Sequence, residues 1–357
     1  MRILITGGAG FIGSHLVEAC LKRGDEVYVV DDFSTGSMEN LKHLTSQPQY
    51  EGRLYITQDS ILNHEVMLEH IGICDVVYHL AAAVGVQYII DNPLKSIVTN
   101  VRGTETVLDM CAKFKKKVLI ASTSEVYGKH DHAPLVETDD CVYGPSEKIR
   151  WSYAAGKLMD EFTGIAYFRE KHLPVVIVRL FNTVGPRQTG MYGMVIPRLV
   201  KQALLGQAIT VYGDGKQSRT FTHVSEVVQA LLKMVETKDA MGQVVNVGGV
   251  EEVSILQLAH RIKELTDSTS EIKLIPYDQA YPKDFEDMKR RVPSTEKLRS
   301  LVGFAPTMKL DAILRDVIQY FRMELKLEKE AEEDYGFTPK TQSQTDARPS
   351  MLLEKLP

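Results

Sequence analysis

The sequence predicts an α/β protein with a doubly wound parallel sheet, followed by a smaller lobe. As far as about residue 184, short apolar runs alternate with longer amphipathic segments. Short runs that are apolar throughout are typical of strands that helices cover on both faces, because neither face meets water. A regular alternation of such strands with helices indicates crossover connections, and hence parallel strands.

Strand and helix patterns can be assigned in order along the first half of the chain. The predicted strands are Arg2–Thr6, Glu26–Val30, Arg53–Thr57, Asp75–His79, Lys117–Ser122 and Pro174–Arg179. The clearest predicted helices are Phe11–Arg23, Leu94–Phe114 and Trp151–Lys171.

The pattern changes twice, and each change predicts a boundary. We expect a first domain over residues 1–184, with re-entrant segments near 222–250. Residues 185–325 show fewer strand patterns and more Gly, Pro and Tyr, so they are expected to form most of a smaller lobe. Residues 326–357 are polar and lack a helical period, which predicts a poorly ordered tail.

Composition and charge argue against several classes of protein. Hydrophobic residues make up 44% of the chain and charged residues 25%, which is typical of a globular protein. The formal net charge of −5 argues against nucleic acid as a main partner. No apolar run approaches the ~18 residues that cross a bilayer, and no signal segment follows Met1. The four cysteines are too widely spaced for a zinc knuckle or a redox pair. We therefore expect a cytoplasmic protein with no membrane partner and no metal site.

A glycine-rich turn follows the first predicted strand. Gly7, Gly10 and Gly13 form the pattern GxxGxxG at the start of the first helix, where backbone N–H groups can approach a pyrophosphate. The second strand is followed by Asp31 and Asp32, at the place where an acidic side chain can hydrogen-bond an adenosine ribose. Two carboxylates would repel a 2′-phosphate, so the sequence predicts NAD rather than NADP.

Two later segments carry groups suited to proton transfer. Thr123, Ser124 and Glu125 follow the fifth strand, at the sheet edge where α/β proteins bind ligands. Tyr153 and Lys157 are four residues apart in a predicted helix, so they share one helix face. A neighbouring ammonium group lowers the pKa of a phenol from ~10 towards neutrality, so Tyr153 is predicted to act as a general base.

Taken together, these motifs resemble the extended short-chain dehydrogenase/reductase family, and most closely its nucleotide-sugar epimerases, dehydratases and decarboxylases. The resemblance also includes the runs His79-Leu80-Ala81-Ala82 and Asn100-Val101-Arg102-Gly103-Thr104, and it covers about residues 1–325. It implies a Rossmann-type domain that binds NAD and a smaller C-terminal lobe that binds a UDP-sugar. It also implies a homodimer formed through the helices around 94–114 and 151–171.

The resemblance further implies roles for individual residues. Tyr153 would take the proton of the sugar C4 hydroxyl while a hydride passes to NAD. Lys157 would lower the pKa of Tyr153 and hold the nicotinamide ribose, and Thr123 would hydrogen-bond near the sugar O4. The other implied coenzyme contacts are Phe11, Ile12, Asp59, Ser60, Leu80, Ala81, Ala82 and Asn100. The other implied substrate contacts are Val84, Ser124, Asn182, Val195, Arg198, Val211, Tyr212, Arg219 and Arg291.

Decarboxylation and 4-epimerisation both remain open from the motifs. The run from Thr123 to Gly128, together with Gly156, looks like the UDP-glucuronate decarboxylases, as does Arg291 in an Arg-x-Pro stretch. In such enzymes Glu125 and Arg291 would act on a substrate that carries a C6 carboxylate.

The contrary features are two loops and one substitution. Val84-Gly85-Val86 and the loop 185–193 look more like UDP-hexose 4-epimerases, whose substrate would be UDP-glucose or UDP-glucuronate. Ser124 stands where a 4,6-dehydratase of the family carries Asp, which argues against dehydration. The sequence thus favours a UDP-glucuronate decarboxylase that forms UDP-xylose, with a 4-epimerase as the alternative. A non-catalytic NAD sensor is the remaining hypothesis, although such proteins usually lose the Tyr or the Lys.

Overall fold

Strands and helices alternate through the first half of the chain and are less regular after it. In this computed structural model, which describes residues 1–130, 132–190, 194–280 and 288–334, the strands are β1 (Arg2–Thr6), β2 (Glu26–Asp31), β3 (Leu54–Gln58), β4 (Val76–His79), β5 (Lys117–Thr123), β6 (Val175–Leu180), β7 (Thr183–Val184), β8 (Ile209–Tyr212), β9 (Ser218–Thr220), β10 (Thr222–His223), β11 (Val244–Val247), β12 (Glu252–Ser254), β13 (Ile272–Ile275) and β14 (Arg290–Arg291). The helices are α1 (Phe11–Arg23), α2 (Glu39–Thr45), α3 (His64–Ile73), α4 (Val86–Asp91), α5 (Pro93–Ile97), α6 (Gly103–Phe114), α7 (Trp151–Lys171), α8 (Val195–Leu204), α9 (Val224–Glu236), α10 (Ile255–Leu265), α11 (Tyr277–Ala280), α12 (Glu296–Val302) and α13 (Leu310–Asp334).

Seven strands form the central sheet, in the order β11-β6-β5-β4-β1-β2-β3. All neighbouring strands run parallel. The chain order reverses between β1 and β4, and such a switch point opens a crevice at the carboxyl ends of the strands. The predicted doubly wound parallel sheet is therefore confirmed.

Core packing holds the carboxyl ends of the central strands in place. In β5, Val118, Leu119 and Ile120 have no exposed surface. Helices α1 and α9 pack on one face of the sheet, whereas α3 and α6 pack on the other. Burying one large aliphatic side chain stabilises the fold by roughly 1.5–3 kcal/mol, so the residues that follow these strands start from a rigid support.

One predicted helix is interrupted. The segment Leu94–Phe114, predicted as continuous, consists of α5, a π-helical turn at Val98–Arg102 and α6. Asn100 lies in this turn, where its Oδ1 accepts a hydrogen bond from the Ala83 N–H at 2.7 Å and its Nδ2 donates to the Ala83 carbonyl oxygen at 3.2 Å. π-helical turns within helices are frequent at functional sites, and here the turn ties α6 to the chain that follows β4.

The smaller lobe has a core of its own. Apolar residues of α8, β8 and α10 pack together with the first turns of α13. A short sheet joins β12, β9 and β14, and β8 pairs with β13. The segment after residue 184 also returns to the central sheet, because β11 pairs with β6.

The chain divides into two units, Met1–Phe321 and Arg322–Pro357. The first contains the central sheet and the smaller lobe. The second is helical as far as Asp334, and the rest of the predicted tail, residues 335–357, lies outside the described residues. Throughout the part of the chain that is described, every helix is too short or too polar to span a membrane.

Candidate active site

A cavity of about 490 Å³ follows the carboxyl edge of the central sheet and continues into the smaller lobe. Most of the residues predicted as site residues line it together: Gly7, Gly10, Phe11, Ile12, Gly13, Asp31, Asp32, Asp59, Ser60, Leu80, Ala81, Ala82, Val84, Thr123, Ser124, Glu125, Tyr153, Asn182, Val195, Arg198, Tyr212, Arg219 and Arg291. Residues 191–193 of the predicted loop lie outside the described residues.

The glycine turn between β1 and α1 forms one end of the cavity. Gly7 has a φ of 71°, and a Cβ at Gly13 would overlap the carbonyl oxygen of Gly7. Gly10 stands at the N-cap of α1, and the first helical turn, residues 11–13, lines the cavity. The N–H groups of a first turn lack a partner within the helix and carry the positive end of the helix dipole. The residues present therefore fit a pyrophosphate.

The two acidic residues after β2 differ in their surroundings. Asp31 is 7% exposed, and its Oδ2 accepts a hydrogen bond from the Ala9 N–H at 2.9 Å. Burial raises the pKa of Asp31, while hydrogen bonds from the backbone N–H groups of Phe33 and Ala9 oppose the rise. Asp32 is exposed, and its Oδ1 accepts a hydrogen bond from the Ser34 N–H at 2.9 Å. Asp31 thus braces the glycine turn, and Asp32 offers a carboxylate to a ligand.

Tyr153 lies on the cavity wall beside the end of β5. Thr123 caps the 3₁₀ turn after β5, because its Oγ1 accepts a hydrogen bond from the Glu125 N–H at 3.2 Å. Burial raises the pKa of Tyr153 well above its usual value, and the carboxylate of Glu125 raises it further. A hydrogen bond with Thr123 and the charge of Arg291 act in the opposite direction. Burial and the Glu125 carboxylate thus disfavour the phenolate form.

Lys157 lies behind the cavity wall rather than on it. Its Nζ donates a hydrogen bond to Asp160 Oδ2 at 2.8 Å, and both side chains are almost fully buried. The pKa of Tyr153 is raised, whereas its spacing from Lys157 predicted a lowered value. Burial and the carboxylate of Glu125 are the two largest causes of the raised pKa.

Two other predicted ligand contacts also lie away from the wall. Val211 is fully buried in the core of the smaller lobe. Asn100 is 2% exposed and is engaged with the backbone of Ala83, which itself lines the cavity. Asn100 therefore shapes the cavity wall by fixing the position of Ala83.

Glu125 lies between two arginines. Its Oε1 is 3.5 Å from Arg291 Nη1, and its Oε2 is 3.4 Å from Arg150 Nη2. Arg291 also donates a hydrogen bond from Nη2 to Asn182 Oδ1 at 2.7 Å. All four residues line the cavity, so the Glu125 and Arg291 side chains predicted from separate motifs are brought into contact.

The pairing of β14 with β9 explains how Arg291 reaches the cavity. Arg291 pairs in register with Arg219. Successive side chains on a strand point to opposite faces, so the preceding residue, Arg290, points the other way. Arg290 forms two hydrogen bonds with the exposed carboxylate of Glu252, at 2.7 Å each. Arg290 is thus paired at the surface, whereas Arg291 lines the cavity.

The far end of the cavity is formed by the smaller lobe. The guanidinium of Arg198 lies 4.2 Å from the centre of the Tyr212 ring, and its Nη1 donates to the Thr210 carbonyl oxygen at 2.7 Å. Arg219 Nη1 donates to the Ser218 carbonyl oxygen at 2.8 Å. Guanidinium groups beside an aromatic ring suit a ligand that has both a planar base and phosphates.

Sequence reasoning missed several residues of the wall, among them Arg150, Tyr277 and Arg187. Arg150 is the N-cap of α7 and stands three residues before Tyr153, a spacing that could have suggested a shared helix face. Tyr277 packs against Gly213, which follows β8. Arg187 reaches from the predicted loop back to α1, where it pairs with Glu18. No local sequence pattern marked Tyr277 or Arg187, because each is held at the cavity by a contact with a residue far away in the chain.

Three comparisons with known proteins bear on this site. Residues 4–317 match the family model described as GDP-mannose 4,6 dehydratase. The chain is 44% identical over 322 residues to UDP-N-acetyl-alpha-D-glucosaminuronate decarboxylase of Bacillus cytotoxicus, covering 90% of this chain and 98% of that protein. It is 36% identical over 350 residues to UDP-glucuronic acid decarboxylase 1 of Danio rerio, covering 98% of this chain and 78% of that protein. Among solved structures, the chain is similar to UDP-glucuronic acid 4-epimerase from Bacillus cereus in complex with UDP-glucuronic acid and NAD, with a TM-score of 0.80 and 29% identity. The match covers 91% of this chain and 100% of the epimerase.

Proposed function

The chain belongs to the extended short-chain dehydrogenase/reductase family, in its nucleotide-sugar epimerase and dehydratase group, and on that premise we propose that it decarboxylates a UDP-linked uronic acid. The reaction passes through transient oxidation at C4 of the sugar. The coenzyme is NAD, since the glycine turn and the first turn of α1 suit a pyrophosphate and the acidic pair after β2 suits an unphosphorylated ribose.

The position of Glu125 between Arg150 and Arg291 carries this proposal. Glu125 contacts the guanidinium groups of Arg150 and Arg291, and all three residues line the cavity together with Tyr153. Guanidinium groups on the wall suit a substrate that carries a carboxylate, because arginine is the side chain best shaped to hold one.

The chain's own residues can be placed in each step. NAD, when bound, would accept the C4 hydride and later return it. The proton of the C4 hydroxyl passes to the phenolate form of Tyr153, whose oxygen is oriented by a hydrogen bond with Thr123. The C5–C6 bond then breaks, CO2 leaves, and the electron pair is taken up by the 4-keto group as an enolate. Glu125 disfavours the neighbouring substrate carboxylate by like-charge repulsion, which favours its loss as neutral CO2. Solvent supplies a proton to C5, and Tyr153 returns its proton to the C4 oxygen as the ketone is reduced again.

Two substrates fit this chemistry, and they differ only at C2. UDP-glucuronate carries a hydroxyl there, and its product is UDP-xylose. The relative at 44% identity is named for the substrate that carries an acetamido group. We expect CO2 release from at least one of the two.

The mass of the product distinguishes decarboxylation from the alternative. The purified chain is incubated with each uronate separately, and with UDP-glucose as the neutral control. Decarboxylation removes the mass of CO2 from a uronate and leaves UDP-glucose unchanged. The similarity to a solved UDP-glucuronic acid 4-epimerase favours 4-epimerisation as the second candidate. An unchanged mass with an inverted C4 would support that candidate and contradict ours.

The coenzyme proposal predicts the effect of changing Asp32. Asp32→Arg removes a repulsive carboxylate and supplies a phosphate partner, so the ratio of the NADP to the NAD dissociation constant should fall by about tenfold or more. Asp32→Asn, which removes the charge without supplying a partner, should lie between. Asp31 is left unchanged because it holds the Ala9 N–H. A binding titration in which neither variant alters the ratio would show that the ribose is recognised elsewhere.

A second copy of the chain is the proposed partner. Exposed apolar side chains lie on α5 and α7: Leu94 is 74% exposed, Ile97 41%, Met159 52% and Phe162 63%. Apolar residues that cluster at a surface mark sites of association, and these helices lie within the segments from which a homodimer was predicted.

The dimer proposal predicts that one charge on this surface separates the two copies. Phe162→Glu should give the molar mass of a single chain by light scattering, while the unaltered chain gives twice that mass. Leu274→Glu is the matched control, because Leu274 is 53% exposed on β13 of the smaller lobe. A Phe162→Glu variant that keeps the doubled mass would exclude α7 from the interface.

A further inference from the structure

A fully buried asparagine lies in β11, at one edge of the central sheet. Asn246 stands between Val245 and Val247, and none of the three has exposed surface. The two valines belong to the main apolar core. Successive side chains of a strand point to opposite faces, so Asn246 points away from that core. A buried amide destabilises the fold unless its polar atoms have partners, so the partners of Asn246 indicate what the residue does.

The Asn246 side chain has partners on separate segments of the chain. Its Oδ1 accepts a hydrogen bond at 2.7 Å from the hydroxyl of Tyr127, the last residue of the 3₁₀ turn after β5. Its Nδ2 donates to the carbonyl oxygens of Leu135 at 3.1 Å and Ser294 at 3.4 Å. Ser294 lies three residues after Arg291. One amide thus contacts both the turn after β5 and the segment that follows β14.

Leu135 strengthens this link through its backbone. Its N–H donates to the Val292 carbonyl oxygen at 2.8 Å, and its own carbonyl oxygen accepts from the Ser294 N–H at 2.8 Å. Val292 is the first residue after β14, so this bridge fixes the chain where the strand ends. The Asn246 N–H donates to Glu137 Oε1 at 2.8 Å, which ties the segment around Leu135 to β11 as well.

Tyr127 is held at its ring as well as at its hydroxyl. The ring is fully buried in a small cluster with Val126, Leu135 and Phe181. The Arg179 guanidinium lies 4.6 Å from the ring centre. Closely packed side chains transmit displacement to their neighbours, so the position of the Tyr127 hydroxyl is passed on to the backbone of the turn.

The two segments that Asn246 contacts carry the charged pair of the cavity. Glu125 lies in the turn that ends at Tyr127, and Arg291 is the last residue of β14. Glu125 Oε1 is 3.5 Å from Arg291 Nη1, although the residues are 166 positions apart. Asn246 and Tyr127 are not among the described residues that line the cavity. Their effect on a ligand therefore passes through the two segments.

We propose that Asn246, together with Tyr127, is a positioning residue that holds Glu125 and Arg291 in contact. The inference rests on the proposed function in taking that pair as the groups that act on the substrate carboxylate. Its geometric part, the hold on two distant segments, does not depend on which reaction the chain carries out.

The first test removes one hydrogen bond and keeps the packing. Tyr127→Phe retains the buried ring and removes the hydroxyl that bonds Asn246. Crystal structures of the variant and of the unaltered chain should show a longer distance between Glu125 and Arg291 in the variant. A misplacement of about 1 Å can lower a rate by about 10²-fold, so kcat/KM for CO2 release should fall by about tenfold or more.

The matched control removes another buried tyrosine hydroxyl. Tyr78 of β4 is 1% exposed, packs in the main core and is not among the described residues that line the cavity. Tyr78→Phe should leave both the Glu125–Arg291 distance and kcat/KM unchanged. The dissociation constant for UDP, which lacks the sugar, should be the same in both variants and in the unaltered chain. Tyr127→Phe with an unchanged distance and an unchanged kcat/KM would overturn the proposal.

A double variant separates positioning from stability. Tyr127→Phe combined with Asn246→Leu replaces both partners of the hydrogen bond by apolar groups, which can be nearly neutral for stability. The midpoint of urea unfolding should therefore return towards that of the unaltered chain, while kcat/KM stays low and the Glu125–Arg291 distance stays long. A double variant that recovers rate and distance along with stability would show that Asn246 acts only on stability. If the Asn246 change prevents folding, Tyr127→Phe still decides the question.

The distance and the turnover distinguish this inference from the proposed function. A chain that releases no CO2, but whose Glu125–Arg291 distance lengthens in Tyr127→Phe and not in Tyr78→Phe, refutes the proposed function and leaves the role of Asn246 standing. A chain that releases CO2, with both distance and rate unaffected by Tyr127→Phe, refutes this inference alone.

Discussion

Tyr153→Phe is expected to lower the rate of CO2 release by about 10²-fold or more, while NAD still binds. The change keeps the ring and removes the oxygen that, as the phenolate, accepts the C4 proton. Because burial and Glu125 raise the pKa of Tyr153, the rate of the unaltered chain should increase as the pH rises and the phenolate forms. Both effects are measured by CO2 release over a pH series.

The control for Tyr153→Phe lies on the same helix. Tyr167 of α7 hydrogen-bonds Asp109 of α6 through its hydroxyl, and it is not among the residues that line the cavity. Tyr167→Phe should therefore keep nearly full activity. If Tyr153→Phe turned over at a similar rate, another group would have to receive the C4 proton.

Arg291→Met is expected to reduce CO2 release by about 10²-fold or more. The Arg291 and Glu125 side chains are 12% and 18% exposed. Removing one partner of a desolvated charge pair costs roughly 2–5 kcal/mol, and each 1.4 kcal/mol is tenfold. The loss of activity has two parts, because Glu125 and Asn182 lose a hydrogen-bond donor and the substrate carboxylate loses a cation.

Glu125→Gln should instead slow the step after oxidation. Reduced nicotinamide should therefore build up, which its absorbance would show.

Arg290→Met is the matched control for Arg291. The residue is adjacent on β14, but it pairs with Glu252 at the surface. Its loss should leave CO2 release nearly unchanged, because an exposed ion pair contributes little. Equal losses in the two arginine variants would mean that β14 matters only as a structural element.

The sequence predicted the central sheet well because its strands are continuous apolar runs. The predicted strands at 117–122 and 174–179 differ from β5 and β6 by single residues at their ends. The interrupted helix was not predictable, since the π-helical turn depends on the bond between Asn100 and Ala83, which belong to different elements.

The same limit applies to the cavity. Motifs placed Glu125 and Tyr153 in the site because each follows a local pattern. The pairing of Glu125 with Arg291 joins residues 166 positions apart, and no local spacing encodes it. The lowering of the Tyr153 pKa by Lys157 stays a prediction, and the spacing of the two residues gave no sign that Lys157 pairs with Asp160.

The most direct measurement of the central claim uses a uronate labelled with ¹³C at C6, incubated with the full chain in ²H₂O. A decarboxylase releases the label as CO2 and bicarbonate and places one deuteron at C5 of a pentose product. Tyr153→Phe should slow both changes by about 10²-fold or more. Label that stays attached to a hexuronate whose C4 is inverted would contradict the account and establish 4-epimerisation in its place.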